Sequence, residues 1–335
     1  MVNSSSESES GDHKFGYLED VIQVALSQIG VAGARIRFIS DTGNLIFRAD
    51  GQAQSFAIRV YKDSDISNSA INAELFWLLD IKQKTNLSVP EPIPSQSANM
   101  VQEITYPTAE KPVKVVIFHW LPGEILGSQL NLDSATYMGE MMAALHLHAN
   151  RFQLPPDCSR DENDWRGMGL FKAGLSDNEI QRMECFLDKD QIRICESAAM
   201  IAAKNIARVE IQQDFGLIHS DFHTNNIILH HGKFSVIDFD DCQFAPFSND
   251  LAITLASFDQ FPEPEPLRKA FLQGYLKVRN LPLNFETEME AFMMERRLRL
   301  LRWLATWPSV DSFGKALIEN SMRHLINYVR KMSNE

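Results

Sequence analysis

The chain has 335 residues, of which 44% are hydrophobic and 10% aromatic, enough for one large or two modest domains with a buried core. Its formal net charge of -12, without a long run of Lys and Arg, argues against a surface that binds duplex nucleic acid, since such a surface needs clustered cations. The 4 cysteines form no C-x-x-C pair and no apolar run is long enough for a membrane helix, so we expect reduced thiols, a cytoplasmic location and no membrane anchor.

The elements predicted over residues 15–120 form a small α+β lobe. Residues 1–14 are polar and lack the apolar core of a signal peptide, so we interpret them as a disordered tail. Helices are predicted over residues 17–29 and 70–81, the second with apolar positions at helical spacing. β-rich runs separated by turn residues occupy residues 35–39, 44–48, 54–61, 101–106 and 113–120.

Helical periodicity dominates the rest of the chain from residue 133 onward and predicts a larger, mainly helical lobe over residues 121–335. The LPGE segment at residues 121–124 is the predicted connection between the lobes. One island of strand interrupts the helices, because residues 227–229 and 234–237 flank a turn and predict a hairpin. The proline-rich run at residues 262–266 predicts a stiff surface loop between helices.

The stretch LIHSDFHTNNIILHHGKFSVIDFDD, residues 217–241, contains the residues that point to a reaction. Asp221 comes first, Asn226 follows in the same loop, and the predicted hairpin then presents Asp238. Phosphoryl transfer needs such a set: one carboxylate orients the hydroxyl nucleophile and accepts its proton, while an amide oxygen and a second carboxylate hold magnesium against the ATP phosphates. Each residue alone is more often a turn or cap former, but the three together at this spacing favour function.

HSDFHTNN and IDFDD resemble the H-G-D-x-x-x-x-N and I-D-F/W motifs of the aminoglycoside phosphotransferase and choline kinase-like superfamily. That superfamily includes a second type of homoserine kinase and has a protein-kinase-like fold. The resemblance extends over residues 35–255 at least. It implies Asp221 as the catalytic base, Asn226 and Asp238 as magnesium ligands, and His219 as a support for the loop. In the NDLA segment at residues 249–252, the resemblance implies a structural role for Asp250 at a helix start.

The same resemblance assigns ATP binding to the small lobe. FAIRVY places Arg59 where related kinases carry the Lys or Arg that contacts the ATP phosphates, and Glu74 in INAELFWLL is expected to form an ion pair with Arg59. The adenine is expected against the backbone at the end of the last strand of this lobe, at Phe118, His119, Trp120 and Leu121.

Three places depart from the family pattern. Ser220 stands where Gly is usual, and Thr224-Asn225 replaces the common Pro-Gly. Gly43 is the single glycine of DTGNLIF, where protein kinases carry a glycine-rich loop. The three oxygen-bearing side chains of the motif are intact, so we expect activity. How firmly the loop around Gly43 holds phosphate stays open.

Several side chains near the motifs have two interpretations each. His223 either acts in catalysis or packs the loop, and Asp240 and Asp241 either assist a metal ion or form a solvated acidic turn. The basic helix at residues 296–299 either lines the acceptor cleft or forms a charged outer face over an apolar inner one, and the pattern favours the charged face.

Together these features predict an α+β, bilobal protein-kinase-like enzyme that uses ATP and Mg2+ to phosphorylate a hydroxyl. The resemblance implies a small-molecule acceptor such as an amino alcohol, hydroxy amino acid, sugar or aminoglycoside. A protein Ser/Thr kinase is one alternative, although no A-P-E segment follows Asp238. A nucleotide-binding pseudokinase that acts as a regulator is another, and it would be expected to lack the catalytic acid or a metal ligand.

Overall fold

The computed structural model of the chain describes residues 16–41, 43–107, 109–160, 171–208, 214–283 and 285–333. The predicted tail of residues 1–14 lies outside them. Contacts divide the chain into two units, the first comprising Met1–Glu124, Gln153–Arg160 and Ile228–Asp240, and the second Ile125–Phe152, Asp161–Ile227 and Asp241–Glu335. Within the described ranges no helix combines the length and the hydropathy needed to cross a membrane.

The helices and strands agree with most of the predicted elements. The strands are β1 Arg35–Asp41, β2 Leu45–Asp50, β3 Ser55–Val60, β4 Gln102–Ile104, β5 Val113–His119, β6 Glu124–Ile125, β7 Phe215–Ile218, β8 Ile227–His230, β9 Lys233–Val236 and β10 Gln243–Pro246. The helices are α1 Gly16–Ser27, α2 Asn68–Lys84, α3 Leu132–Ala149, α4 Asp177–Phe186, α5 Lys189–Ile206, α6 Phe247–Ser257, α7 Pro264–Val278, α8 Phe285–Leu304 and α9 Ser312–Ser333. The α+β fold class, β-rich first and mainly helical afterwards, is confirmed.

The first unit is built on an antiparallel sheet with strand order β1-β2-β3-β5-β4. Side chains alternate along β2 between buried and half-buried positions, as expected for a strand with one face on the core. Helix α1 covers that face, and its apolar stripe Val21, Ile22 and Ala25 packs with Phe47 and Ile58 of the sheet. This packing makes the sheet a rigid support for the side chains at its strand ends.

Helix α2 is longer than the apolar pattern indicated. The Ser67 hydroxyl accepts a hydrogen bond from the Ala70 N–H and so caps the helix ahead of its first apolar residue. At the other end the helix continues through polar residues to Lys84. The buried residues of α2 include Glu74, Leu75 and Leu78, so the Glu74 carboxylate is buried together with apolar side chains.

The predicted hairpin is present as β8 and β9, and its turn has two residues. His231 and Gly232 both adopt positive φ, 47° and 76°, which is the backbone of a tight hairpin turn. Contacts group the hairpin with the first unit, not with the helical residues that surround it in sequence. The Ser235 hydroxyl donates to that of Ser88 at 2.8 Å, and the Val236 N–H donates to the Ser88 carbonyl. These bonds explain the grouping.

In the second unit, helices α3 and α7 cross at a pair of glycines. A Cβ on Gly139 would lie 1.9 Å from the Phe271 carbonyl oxygen, and one on Gly274 would lie 1.8 Å from the Thr136 carbonyl oxygen. Only glycine permits this approach of two helix backbones. The prediction of a loop over residues 262–266 was wrong at its end, because α7 begins at Pro264, and proline is tolerated in the first turn of a helix.

Buried polar groups also join α3, α6 and α7. His146 is fully buried, with Nδ1 2.8 Å from the Tyr275 hydroxyl and Nε2 3.3 Å from the Asp250 carboxylate. Burial lowers the pKa of His146, and the charge of Arg279 adds to this, while the hydrogen bond and charge of Asp250 and the charge of Asp214 oppose it. The imidazole is therefore favoured in its neutral form. We expect the protein to lose stability when acid protonates this side chain.

Candidate active site

The loop that follows β7 is held in shape by a carboxylate from α6. The backbone N–H groups of His219 and Ser220 donate to Asp250 at 3.1 and 2.9 Å. Ser220 has φ of 70°, a left-handed conformation that glycine adopts more easily, which accounts physically for the glycine usual at this place in the motif. The Thr254 hydroxyl, one turn further along α6, donates to the Phe222 carbonyl at 2.6 Å. Helix α6 thus fixes the loop on both sides of Asp221.

Asp221 receives hydrogen bonds on both carboxylate oxygens. Arg296 Nη2 lies 2.6 Å from Oδ1, and His223 Nε2 lies 3.1 Å from Oδ2. Since His223 Nδ1 accepts from the Asn225 N–H, Nε2 carries a proton, which points at Asp221. Asn226 Nδ2 donates to Oδ2 at 3.1 Å and to the Asp221 carbonyl at 2.9 Å. The carboxylate therefore has one fixed orientation.

These neighbours also keep Asp221 ionised. Burial alone would raise the pKa of Asp221, but the hydrogen bond and charge of His223, then the charges of Arg296 and His219, hold that pKa below its ordinary value. An ionised carboxylate accepts a hydrogen bond from a hydroxyl. Because Asn226 uses its Nδ2 toward Asp221, its amide oxygen stays outside both bonds, as a metal ligand would require.

The first unit contains a buried ion pair. Arg59 of β3 and Glu74 of α2 are 5% and 1% exposed, and Arg59 Nη1 lies 2.7 and 2.8 Å from the two Glu74 oxygens. The predicted ion pair is thus present. Burial alone would lower the pKa of Arg59, but the interactions with Glu74, Tyr61, Asp240 and Asp238 together raise that pKa above its ordinary value. Arg160 Nη2 is 3.7 Å from Glu74 Oε2 and adds a second positive charge.

Two carboxylates that follow β9 face this arginine. Arg59 Nη2 lies 3.8 Å from Asp238 Oδ1, and the Asp238 side chain is 44% exposed. Asp238 has φ of 69°, a strained value for a residue with a side chain. Burial alone would raise the pKa of Asp240, but the charge of Arg59 and a hydrogen bond with Asp238 hold it lower. Asn44, from the turn between β1 and β2, donates to Asp240 at 3.0 Å. Asp240 is therefore not a purely solvated turn residue.

The backbone at the end of β5 is partly engaged within the unit. The His119 N–H donates to the Glu91 carbonyl and the Trp120 N–H to the Ser55 carbonyl. The Phe118 ring is buried, with the Arg59 guanidinium 5.3 Å from its centroid. Adenine binding at this segment stays a prediction.

A polar cavity of about 170 Å³ lies in the second unit beside the loop that follows β7. Ser220 and Gln243 line it from the loop and β10, and the Gln243 amide nitrogen donates to the Ser220 hydroxyl. Carboxylates and guanidinium groups line it together: Asp241, Glu295, Arg296 and Arg299. Arg299 is hydrogen-bonded to Glu295 one turn earlier on α8.

The preference for a purely charged outer face at residues 296–299 was therefore wrong. Arg296 contacts Asp221, and Arg297 is 2% exposed and paired with Asp259. The structure brings Arg59, Glu74 and Asp238 together in the first unit, and Asp221 and Asn226 together in the second. Sequence reasoning gave no role to Asn44 or Arg160, and no local motif marks either of them.

The chain is similar in sequence to known proteins. One family model, described as "Phosphotransferase enzyme family", matches residues 35–292. Amicoumacin kinase of Bacillus subtilis (strain 168) is 22% identical over 266 residues, which cover 78% of this chain and 75% of the relative.

Solved structures share the fold at similar identity. A microcompartment-associated aminopropanol kinase superposes with a TM-score of 0.78 at 22% identity, covering 94% of this chain and 98% of that one. An amicoumacin kinase in complex with AMP-PNP and Ca2+ gives 0.74 at 18% identity, covering 96% of each chain. The predicted protein-kinase-like fold is confirmed by these superpositions.

Proposed function

The chain belongs to the phosphotransferase enzyme family and is an enzyme of the kinase type, and on that premise we propose that it transfers the γ-phosphoryl group of ATP to a hydroxyl of a small metabolite. The observation that carries the proposal is the fixed, ionised carboxylate of Asp221, with Arg296 on one oxygen and His223 and Asn226 on the other. A carboxylate so held can accept the proton of an acceptor hydroxyl and aim its oxygen.

Asn226 and Asp238 are the proposed ligands of magnesium. Asn226 offers an amide oxygen and Asp238 a part-exposed carboxylate oxygen, which are the hard ligands that Mg2+ prefers. When bound, the ion would neutralise charge on the phosphate oxygens. Arg59, held by Glu74, would contribute a fixed positive charge toward the phosphates, and Asn44 steadies the neighbouring carboxylate of Asp240. One solved relative with AMP-PNP and Ca2+ bound supports the use of a nucleotide and a divalent cation.

The cavity beside Asp221 favours a small acceptor. A cavity of about 150 Å³ holds a molecule of the size of benzene, and the one described above is about 170 Å³. Its carboxylates, Asp241 and Glu295, suit an ammonium group, and its guanidinium groups suit a carboxylate. We therefore favour amino alcohols and hydroxy amino acids over sugars and multi-ring aminoglycosides. The name of the aminopropanol kinase relative agrees with the first of these.

The test is ATP turnover with Mg2+ across a panel of amino alcohols, hydroxy amino acids, sugars and aminoglycosides. We expect turnover that depends on one acceptor class and is lost in Asp221→Asn. The matched control is Asp177→Asn, the same change at an exposed position in the first turn of α4, which should keep full activity. Nucleotide binding without turnover on any acceptor would favour a pseudokinase regulator, and phosphorylation of a protein substrate alone would favour a protein Ser/Thr kinase.

A further inference from the structure

Ser220 has a strained backbone directly before Asp221. Its φ of 70° lies in the left-handed region, which glycine adopts without strain and residues with a Cβ do not. Strain of this kind in a residue with a side chain is concentrated at active sites and ligand-binding sites. The backbone therefore points to a function of the Ser220 side chain that glycine could not supply.

The Ser220 hydroxyl keeps a hydrogen-bond donor for a ligand. Its oxygen accepts a hydrogen bond from the Gln243 amide nitrogen, and both residues line the cavity of about 170 Å³ described above. A serine hydroxyl also has one hydrogen to donate, and among the described residues this hydrogen has no acceptor. The hydroxyl is thus held in place by Gln243 and can donate to a molecule in the cavity.

Asn249 adds an amide to the same cavity. It lies in the first turn of α6 and is 4% exposed. Its amide forms no hydrogen bond with a described residue, yet it differs from the Gln102 amide, whose two polar atoms are both unpaired and cut off from solvent. The small exposed area of Asn249 therefore includes its amide atoms, which face the cavity that the residue lines. Its Nδ2 can donate hydrogen bonds there.

Arg296 connects these donors to the proposed catalytic base. Its Nη2 lies 2.6 Å from Asp221 Oδ1, and the residue also lines the cavity. A guanidinium has five N–H donors in a planar fork, so Arg296 has donors left for a second anion. Ser220 and Asn249 thus present neutral donors beside a cation, and this combination suits a carboxylate.

The rest of the lining suits an ammonium group on the same molecule. Asp241 and Glu295 line the cavity together with Arg296 and Arg299, so carboxylates and guanidinium groups are present in equal number. A ligand with a carboxylate alone would bring one uncompensated charge toward Asp241 and Glu295. An α-amino acid carries one charge of each sign on the same carbon, so its charges match both kinds of lining group.

We propose that Ser220 and Asn249 bind the carboxylate of a hydroxy amino acid and so select this acceptor over the amino alcohol that lacks the carboxylate. The inference rests on the proposed phosphotransferase function and narrows its acceptor class. A site built to hydrogen-bond a group of its substrate discriminates against the analogue without that group, because the buried donors are then left unpaired. The hydroxyl of the same molecule would lie at Asp221.

The experiment is isothermal titration calorimetry of the full chain with two matched pairs of probes. L-serine is compared with ethanolamine and L-homoserine with propanolamine, since the second member of each pair is the first without its carboxylate. The variants are Ser220→Gly, which removes the hydroxyl and relieves the strain, and Asn249→Leu, which keeps the size of the side chain and removes its amide. The matched controls are Ser309→Gly and Asn178→Leu, at exposed positions outside the cavity.

We expect the wild-type chain and both controls to bind at least one amino acid roughly tenfold or more tightly than the matching amine. Each variant should weaken the binding of that amino acid by roughly tenfold and leave the binding of the amine unchanged, because the lost bonds go to the carboxylate. Asn249→Leu breaks no bond within the described chain, so its melting temperature should stay that of the wild type. An unchanged melting temperature separates lost recognition from lost folding.

Three results would each overturn the inference: binding of neither amino acid, equal binding of an amino acid and its amine, or unchanged affinity in either variant. Calorimetry needs no phosphoryl transfer, so its result is independent of the turnover assay. If the wild-type chain binds the amino acid as expected but phosphorylates neither one, the proposed function fails and the recognition of the carboxylate stands.

Discussion

Replacing Glu74 by Gln should leave the Arg59 guanidinium buried without its main counter-charge. The two side chains are 5% and 1% exposed, and one guanidinium nitrogen contacts both carboxylate oxygens within 2.8 Å. At an effective dielectric constant of about 20, two unit charges about 4 Å apart attract by about 4 kcal/mol. Removing one partner of a buried pair costs about 3–5 kcal/mol, because the other charge stays desolvated.

Two details of the site move the expected cost to the lower end of that range. Asp238 remains 3.8 Å from Arg59, and Gln can still accept one hydrogen bond from the guanidinium. We therefore expect Glu74→Gln to lower the free energy of unfolding by about 3 kcal/mol. The double variant Arg59→Met, Glu74→Leu should recover much of the loss, since apolar residues of similar volume can replace a buried ion pair at little cost.

Urea unfolding at pH 7, followed by tryptophan fluorescence, measures this effect. Trp77 is fully buried on α2, close to Glu74, and reports on the first unit. Glu19→Gln in the exposed first turn of α1 is the matched control and should change stability by less than about 0.5 kcal/mol. The reasoning is refuted if Glu74→Gln costs no more than Glu19→Gln, or if the double variant is as unstable as the single one.

Three further perturbations test the second unit. Arg296→Gln should lower kcat by roughly tenfold or more, because a charge-assisted hydrogen bond that orients the Asp221 carboxylate, the proposed catalytic base, is lost. Arg296→Lys should restore part of the kcat, and an unchanged kcat of Arg296→Gln in steady-state assays would contradict this prediction. Because its folded-state pKa is lowered, His146 contributes stability that is present above its unfolded pKa, near 6.5, and is lost as the pH falls below it, by about 1.4 kcal/mol per unit of pKa depression. Urea midpoints at pH 7 and pH 5 should therefore differ less in His146→Asn than in the wild type, and equal differences would count against the buried neutral imidazole. Gly139→Ala should cost about 3 kcal/mol or more through the clash of a Cβ with a facing helix backbone, whereas Gly16→Ala, where that atom meets open space, should be near neutral in the same unfolding assay.

The linear motif was sufficient to predict the β8–β9 hairpin that lies between Asn226 and Asp238, because a hairpin is local in sequence. A short turn between two strands allows few backbone conformations, so its residues indicate the hairpin. Hydrophobic periodicity likewise predicted α1, α2 and the strands of the first sheet, with errors at the ends where caps and polar residues decide. The start of α7 at Pro264 was not predicted, because the fixed φ of proline is compatible both with loops and with the first turn of a helix.

Contacts between distant parts of the chain were beyond sequence reasoning. Arg296 reaches Asp221 across a separation of 75 residues, and Asn44 reaches Asp240 across 196. The sequence pattern around a basic residue of an amphipathic helix is the same whether that residue contacts water or a carboxylate. Periodicity shows which side of the helix the residue is on, but not what packs against that side. The sequence by itself determined the α+β fold class and the hairpin that ends before Asp238. Only tertiary packing decided which guanidinium contacts the Asp221 carboxylate, because that depends on which surfaces meet.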